Sequence, residues 1–401
     1  MNFLHSYINY GIVFFAALLI SAFSVPRIII IAKMKRLFDL PDNNRKIHKE
    51  VVPNLGGIAI FFSTMIVASS FIIYRSDSNW WNYVVSATLI LFIIGLKDDI
   101  LVITPLKKLL VQLLTAAIAV FFADIRLQSL QGILGIHEMP YWLSCTFSII
   151  GITFVTNAFN LIDGVDGLAG TISVLCTFTL GVSLSFQGNY NGAIYSFSLM
   201  GGVMGFLYYN RSPAKIFMGD SGSLFLGFSI AILCILFINS FVPHRFFSMF
   251  VHSSKGALII ALAILFVPVF DSFRVFITRI ANGKHPFHAD RIHLHHYLLD
   301  LGFGHSRVVS VLIVANLLII FVSLLVQDYN PNIGILAIVG LTMGLFLILY
   351  IKRKNRLQRI STTLKEVTSG AIKDITTKTD CSADSNVVPP AITTSTIATN
   401  H

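Results

Sequence analysis

The stretch YWLSCTFSIIGITFVTNAFNLIDGVDGL (141–168) joins an apolar run to a set of carboxamide and carboxylate side chains. Its first part, 141–156, is apolar enough to predict a helix that crosses a bilayer. The polar side chains that follow, at successive spacings of three, are Asn157, Asn160, Asp163 and Asp166. In a helix, this spacing places side chains on neighbouring turns of one face. The stretch therefore predicts a membrane helix that ends in a polar site.

The composition of the whole chain predicts an all-α polytopic membrane protein. Of its 401 residues, 55% are hydrophobic and only 12% are charged. A soluble globular domain carries about 25% charged residues. The net charge of +10 would suggest nucleic acid in a soluble protein. Here the basic residues lie in loops between apolar runs, so membrane orientation explains them and no nucleic-acid partner is expected.

Eleven apolar runs are candidates for membrane spans, each close to the roughly 20 residues that cross a bilayer. They are 8–32, 55–74, 83–97, 105–123, 141–158, 168–186, 193–209, 221–242, 256–277, 308–326 and 332–351. Alternate loops differ in charge, because one set holds twenty Lys and Arg residues and the other holds four. The richer set is expected to face the cytoplasm. An odd number of spans then places the N-terminus outside and the C-terminus inside.

Two domains follow from this pattern. Residues 1–351 are predicted to form the integral membrane domain, and 352–401 a cytoplasmic tail. The tail is polar and has no apolar periodicity, so it is expected to be disordered.

The unusual polar clusters fall on the predicted cytoplasmic side, whereas the outer loops carry no such cluster. They are DLPDNNRKIHKEVVPNLGG (39–57), GLKDDI (95–100), NAFNLIDGVDGL (157–168), FMGDSGSLFLGF (217–228) and GKHPFHADRIHLHHYL (283–298). Adjacent carboxylates such as Asp98 and Asp99 repel, and a metal ion or a bound proton relieves that repulsion. Their oxygen atoms suit Mg²⁺ or Mn²⁺. Solvated acids and helix caps are the alternative interpretations.

The fourth and fifth clusters suggest anion binding. Small residues around Asp220 precede a long apolar run, so free backbone N–H groups at a helix start could bind phosphate. Asp220 could hold a metal there, or simply cap the helix. Three histidines, His293, His295 and His296, lie near Lys284 and Arg291. No cysteine is nearby, and adjacent histidines should point apart, so a cationic phosphate-binding patch is favoured over zinc. A solvated basic loop is the alternative.

Acids for a divalent cation, glycines for close approach and a basic loop for anions together indicate phosphoryl transfer. At these residues the sequence resembles the polyprenyl-phosphate N-acetylhexosamine-1-phosphate transferases, closest to the WecA and TagO type. The motifs RKIHKEVVPNLGG, the DD pair, NAFNLIDGVDGL, FMGDSGS and HADRIHLHH occur in the order expected for that family, over about 35–351.

The resemblance implies about ten or eleven transmembrane helices in the bacterial cytoplasmic (inner) membrane, with an active site facing the cytoplasm. It implies that undecaprenyl phosphate attacks the β-phosphorus of a UDP-N-acetylhexosamine, that UMP leaves, and that Mg²⁺ or Mn²⁺ is needed. The implied partners are both substrates and the lipid bilayer, and a homodimer is considered.

Carried onto this sequence, the resemblance implies a site for each matching residue. The catalytic residues are Asp98, Asp99, Asp163 and Asp166. The metal ligands are Asp220 and Asp99. The substrate-binding residues are Asn160, Phe217, Lys46, His48, Arg291, His293, His295 and His296. The resemblance does not assign which carboxylate is the base and which the metal ligand.

Several alternatives stay open. The related MraY group uses UDP-MurNAc-pentapeptide, although the first loop and HADRIHLHH fit the WecA type better. GlcNAc is the default sugar, with GalNAc, QuiNAc or FucNAc as others. An ion-coupled transporter is a second class, since intramembrane acids mark proton relays. Its coupling acids would lie near mid-span, whereas these lie at one interface. An inactive lipid-binding scaffold is a third class.

Overall fold

The computed structural model describes residues 3–35, 52–73, 80–240, 254–285 and 292–382. The helices are α1 (Phe3–Lys35), α2 (Gly56–Phe71), α3 (Trp80–Ile100), α4 (Pro105–Phe121), α5 (Tyr141–Ile162), α6 (Leu168–Phe186), α7 (Tyr190–Asn210), α8 (Gly219–Asn239), α9 (Ser254–Ile264), α10 (Phe266–Ala281), α11 (Leu294–Asp300), α12 (His305–Val326) and α13 (Pro331–Ser382). Each of the eleven predicted apolar runs overlaps a helix, so the all-α polytopic membrane fold is confirmed.

Length and composition alone identify fewer spans than the eleven predicted. Among the described residues, six helices are long and apolar enough to cross a bilayer, namely α1, α5, α6, α8, α12 and α13. The pair α9 and α10 would make a seventh if it counts as one span, and α2 is a shorter apolar helix. The count of eleven and the orientation of the termini therefore remain predictions.

Helix α8 is the centre of the membrane unit. It packs against α2, α3, α5, α6 and α9, and 89% of its most apolar stretch is buried by protein. Small residues allow this close packing, because a Cβ on Gly95 would lie 2.6 Å from the Ser221 Cα and one on Gly227 would lie 2.7 Å from the Thr156 Cα. The first turn of α8 therefore lies where several helices end together.

The predicted span 256–277 is wrong as a single helix, because it is bent by 70° between α9 and α10. Pro268 has no N–H to donate to the carbonyl of Ile264, which would be its partner in a continuous helix. The Asn316 amide of α12 donates to that carbonyl at 3.2 Å instead, and the Cys176 thiol lies 3.5 Å from it. The bend thus has a cause in the sequence and a buried polar partner.

A small hairpin between α4 and α5 was not predicted. Strands β1 (Ser129–Ile133) and β2 (Ile136–Glu138) are antiparallel, with Ile133 opposite Ile136. Leu134 and Gly135 form the turn, and both have positive φ, of 53° and 77°. Two positive φ angles suit a tight hairpin, because they match the twist of the strands.

The residues after 347 form a second unit, Ile348–His401. The assignment of 352–401 as a disordered cytoplasmic tail remains a prediction. In the structure, helix α13 includes the tail residues 352–382. Elongating an existing helix avoids the cost of nucleating one. This part of the tail also has many good helix formers, such as Lys, Arg, Leu and Gln.

Candidate active site

The start of α8 is held by the segment that precedes α2. The Gly56 N–H donates to the carbonyl of Phe217 at 2.9 Å, and the Gly57 N–H donates to that of Met218 at 2.8 Å. A Cβ on Gly57 would lie only 2.2 Å from the backbone nitrogen of Gly222. The two glycines of PNLGG are therefore needed for backbone contact with the FMGDSGS motif.

Asp99, at the end of α3, caps the N-terminus of α8. Its Oδ1 accepts from the Asp220 N–H at 2.6 Å, and its Oδ2 accepts from the Ser221 N–H at 3.0 Å and the Ser221 hydroxyl at 2.6 Å. A carboxylate there satisfies free helix donors and interacts favourably with the helix dipole. Asp99 thereby fixes the backbone that carries Asp220.

Lys108, on α4, links the other member of the acidic pair to Asp220. Its ammonium lies 2.6 Å from the Asp98 Oδ2 and also donates to the Asp220 Oδ2. The other Asp98 oxygen accepts from the Ile103 N–H at 2.6 Å. Asp98 therefore lies beside the cleft and is joined to it through Lys108. This role was not predicted from the sequence, where Lys108 counts only as one of the twenty basic residues of the richer loops.

Asn160, in the last turns of α5, holds the second oxygen of Asp220. Its Nδ2 donates to the Asp220 Oδ1 at 2.7 Å and to the Ser223 hydroxyl at 2.9 Å. The predicted placement of Asn160 in the same site as Asp220 agrees with this geometry. Both Asp220 oxygens thus have partners from other helices.

Asp166 lies in the turn between α5 and α6 and connects two further segments. Its Oδ2 accepts from the Ala214 N–H at 3.3 Å and lies 3.1 Å from the Nδ1 of His305. His305 begins α12 and was missed, because an isolated histidine outside any motif carries no signal in the sequence. The contact brings α12 to the edge of the same site.

Asp163, directly after α5, has a pKa that shows the crowding of negative charge in the site. Burial raises the pKa of its carboxyl well above the usual value, and the charges of Asp220, Asp99 and Asp166 raise it further. Several carboxylates thus lie close enough to oppose each other's ionisation. Such an excess of negative charge is typical of sites that bind a cation or hold a proton.

These side chains line one cleft of about 420 Å³. Its lining residues are Asn54, Asp99, Asn160, Asp163, Gly164, Val165, Asp166, Asn210, Phe217, Gly219, Asp220 and His305. Four predicted carboxylates, Asn160 and Phe217 therefore converge, although they come from separate motifs. The Phe217 ring is 38% exposed, so a flat ligand could reach it.

The histidine cluster lies behind the cleft rather than in its lining. His293 and His295 are buried, and a Cβ on Gly164 would lie 2.8 Å from the His295 Nε2. Burial and the neighbouring His296 lower the pKa of His295 to about 4, so it is neutral at pH 7. A neutral His295 adds no charge to the predicted cationic patch, and its binding to substrate remains a prediction. The rings of His295 and His296 also lie 4.3 Å apart, centroid to centroid, and do not point apart.

Asp271, on α10, anchors the histidine segment and was not predicted. Its buried carboxylate accepts from the Leu294 N–H at 3.0 Å and lies 2.9 Å from the His293 Nδ1. Arg274 donates to the same carboxylate at 2.8 Å and also to the carbonyl of Ile292. An aspartate inside an apolar run looked like an isolated polar residue in the sequence, but here it orients His293 and the start of α11.

Three predicted substrate-binding residues, Lys46, His48 and Arg291, lie outside the described residues. Their proposed contacts with substrate remain predictions.

The oxygen donors fit a divalent cation, although the described side chains form no complete metal-binding site. The described residues contain no group of three or more His, Cys, Asp or Glu side chains placed to hold a metal ion. The oxygen donors of Asp99, Asp163 and Asp220 nevertheless are of the type that Mg²⁺ and Mn²⁺ prefer. The raised pKa of Asp163 points the same way, since a bound cation would relieve the repulsion among these carboxylates.

Comparisons with known proteins identify a family and several named relatives. The model of glycosyl transferase family 4 matches residues 81–238. A probable undecaprenyl-phosphate N-acetylglucosaminyl 1-phosphate transferase of Bacillus subtilis (strain 168) is 33% identical over 279 residues, 67% of this chain and 72% of the relative. Undecaprenyl-phosphate alpha-N-acetylglucosaminyl 1-phosphate transferase of Escherichia coli (strain K12) is 29% identical over 290 residues, 71% of this chain and 74% of the relative.

A third relative carries a different name. Phospho-N-acetylmuramoyl-pentapeptide-transferase of Listeria monocytogenes serotype 4b (strain CLIP80459) is 30% identical over 317 residues, 74% of this chain and 91% of the relative.

The fold and the cleft define a polytopic helical membrane protein with an acidic site at one end of its central helix. The chain belongs to glycosyl transferase family 4, the polyprenyl-phosphate N-acetylhexosamine-1-phosphate transferases, which confirms the resemblance seen in the sequence.

Proposed function

We propose that this protein transfers an N-acetylhexosamine 1-phosphate, with GlcNAc 1-phosphate as the first candidate, from a UDP-sugar to undecaprenyl phosphate. The observation that carries the proposal is the convergence of Asp99, Asp163, Asp166 and Asp220 in one cleft at the start of α8. Two relatives over about two thirds of the chain are named for this activity. The product would start a lipid-linked cell-surface polysaccharide.

The proposed reaction exchanges one phosphoanhydride bond for another. An oxygen of the lipid phosphate attacks the β-phosphorus of the UDP-sugar. The bond from that phosphorus to the oxygen bridging to the α-phosphorus breaks, and UMP leaves with the bridging oxygen. A lipid-linked sugar diphosphate remains. Such a transfer depends mainly on positioning and on neutralising charge around phosphorus.

The described residues divide this work among them. Asp220, with Asp163 near it, would hold Mg²⁺ or Mn²⁺, which would neutralise the charge that keeps two anionic substrates apart. Asp99 holds the backbone of Asp220 through the cap described above. Asp163 could also accept a proton from the lipid phosphate. Phe217 offers an exposed ring on which the uracil could stack.

The expected place of the site in the membrane suits this division. Apolar runs suggest eleven spans, and the positive loops suggest an outer N-terminus and a cleft that faces the cytoplasm at the inner membrane. A cleft at a helix end is a depth that both a soluble nucleotide sugar and a lipid-anchored phosphate can reach. A homodimer remains a prediction.

A membrane assay tests the proposal. Membranes containing the protein are given undecaprenyl phosphate with UDP-GlcNAc, UDP-GalNAc, UDP-QuiNAc or UDP-FucNAc, and UMP is measured with and without EDTA. We expect lipid-dependent UMP release that EDTA abolishes and that Mg²⁺ or Mn²⁺ restores. Substrate flux into vesicles without turnover would favour a carrier instead, and binding without either would favour a scaffold.

A second candidate substrate is UDP-MurNAc-pentapeptide. One observation favours it, because the Listeria relative named for that activity is matched over 91% of its length. Competition decides between them. If GlcNAc 1-phosphate is the transferred group, unlabelled UDP-MurNAc-pentapeptide should leave product formation from labelled UDP-GlcNAc nearly unchanged.

A further inference from the structure

Lys108 occupies a position in the site that the proposed reaction does not explain. Its ammonium lies between carboxylates from two other helices, Asp98 of α3 and Asp220 of α8. All three side chains are largely shielded, with exposed fractions of 17% for Lys108, 12% for Asp98 and 25% for Asp220. Lys108 is therefore the direct counter-ion of the carboxylate proposed to hold the metal.

Both oxygens of Asp220 are already engaged in this arrangement. Oδ1 accepts from Asn160 at 2.7 Å, and Oδ2 accepts from Lys108. A metal ion needs a lone pair on an Asp220 oxygen and brings positive charge next to the ammonium. Asn160 is neutral and could stay, whereas Lys108 would be repelled. Lys108 and a divalent cation would thus compete for the Asp220 Oδ2.

We propose that Lys108 is an exchangeable counter-ion that holds Asp220 in place without metal and competes with a divalent cation for its Oδ2. The inference rests on the proposed function in one respect, the assignment of the cation to Asp220. Asp98 is the second partner of Lys108, so a displaced ammonium still has a carboxylate 2.6 Å away. The exchange would therefore leave no buried charge unpaired.

The counter-ion also explains how a crowded acidic site can exist before a metal binds. Four carboxylates, those of Asp99, Asp163, Asp166 and Asp220, line the one cleft, so added negative charge is costly there. A lysine that neutralises Asp220 lowers that cost in the empty site. The trade-off is a weaker affinity for the cation.

Manganese binding by the full-length protein in detergent is the test, with free Mn²⁺ followed by electron paramagnetic resonance. Lys108→Met removes the competing charge, so we expect it to bind Mn²⁺ at least about tenfold more tightly than the unchanged protein. Lys107→Met is the matched control, because this neighbouring side chain is exposed and should change the affinity less than about twofold. Equal or weaker binding by Lys108→Met than by Lys107→Met would overturn the proposal.

A stability measurement supplies the second readout. Without metal, Lys108→Met should unfold at a lower temperature than Lys107→Met, and Mn²⁺ should close that gap. If Lys108→Met does not fold, Lys108→Gln keeps a hydrogen-bond donor without the charge and should show the same tighter binding. An Mn²⁺ affinity of Lys108→Gln equal to that of the unchanged protein would overturn the proposal as well.

The assay of UMP release separates this inference from the proposed function. Tighter Mn²⁺ binding by Lys108→Met in a protein that never releases UMP would remove the proposed function and keep the counter-ion. Normal UMP release together with unaltered Mn²⁺ affinity would remove the counter-ion and keep the function.

Discussion

The two ends of α8 both carry polar clusters, but their charges are balanced differently. At the C-terminal end, Asn239 donates to the carbonyl of Arg126 at 2.8 Å. Arg126 in turn donates to Asp124 at 2.7 Å and to the Ser144 hydroxyl at 3.1 Å, and its guanidinium lies over the Tyr141 ring. Among the described residues, Arg126 and Asp124 pair with each other, and the Ser144 hydroxyl is a neutral acceptor for Arg126.

At the N-terminal end, acids outnumber bases. The carboxylates around the cleft are Asp98, Asp99, Asp163, Asp166 and Asp220, and the described cations that contact them are Lys108 and, when protonated, His305. Paired charges stabilise a structure, whereas an unpaired charge in a cleft can bind a ligand. The comparison indicates that charge balance, and not polarity alone, separates a functional cluster from a structural one.

The largest difference between the two ends of α8 is expected when one acid at each end is neutralised. Asp220→Asn should lower UMP release by about 10³-fold, because it removes a charge placed for transition-state stabilisation. Asp124→Asn, at the opposite end, should stay within about twofold, since its partner Arg126 keeps other contacts. Initial rates on equal amounts of purified protein give the result. Near-normal rates in Asp220→Asn would count against the site.

The next effect concerns the cap rather than the proposed metal ligand. Asp99→Asn removes the charge that accepts three bonds from the start of α8, so Asp220 should shift and turnover should fall about 10²-fold. Loss of a cap should also cost about 1 kcal/mol of unfolding free energy. Ser221→Ala removes only one of the three bonds and is the graded control. A rate in Asp99→Asn no lower than in Ser221→Ala would contradict the capping role.

A smaller effect is expected behind the cleft. Asp271→Asn weakens the hold on His293 and Arg274, so kcat should fall about tenfold while KM changes less, if the histidine segment supports the reacting groups. Thr278→Ala, on the same helix, removes only a hydroxyl bond to the carbonyl of Arg274 and should leave kcat unchanged. A loss of stability without any change in kcat would assign Asp271 a purely structural role.

The smallest effect is a pH dependence of stability. His295 has a pKa of about 4 in the folded protein and an ordinary value of 6.5. Between these values the unfolded chain binds the proton and the folded protein does not, so the contribution of His295 to stability should fall as the pH drops from 6.5 towards 4. His295→Gln should flatten this slope in thermal unfolding curves. His137→Gln, at an exposed histidine of the hairpin, should not change it.

Much of the fold could be predicted because helices that cross a bilayer appear in the sequence as long apolar runs. Apolar runs such as 168–186 coincide with a helix, and the motif order was enough to bring Asn160, Asp163 and Asp220 to one site. Local patterns also explain the bend, since Pro268 is visible in the sequence. The run 256–277 nevertheless looked continuous, because hydropathy does not report a missing N–H.

The residues that were missed act through partners distant in the chain. Lys108 meets Asp220 across 112 positions, and the cap by Asp99 spans 121 positions. Asp271, on α10, meets His293, which directly precedes α11, across 22 positions. A single sequence does not show such pairings, so Lys108 looked like a loop charge and Asp271 like a lone polar residue. Asp99 was predicted as a site residue, but its capping role was not. The hairpin was missed for another reason, since eight or so residues give too weak a pattern.

The bend between α9 and α10 has a consequence for how the site keeps its shape. Straightening it would separate the Asn316 amide from the carbonyl of Ile264, and Pro268 could not replace the lost bond. The amide nitrogen of this fully buried side chain would then lack a partner in a region that excludes water. The hydrogen bond therefore opposes straightening of the chain just before α10, the helix from which Asp271 contacts His293.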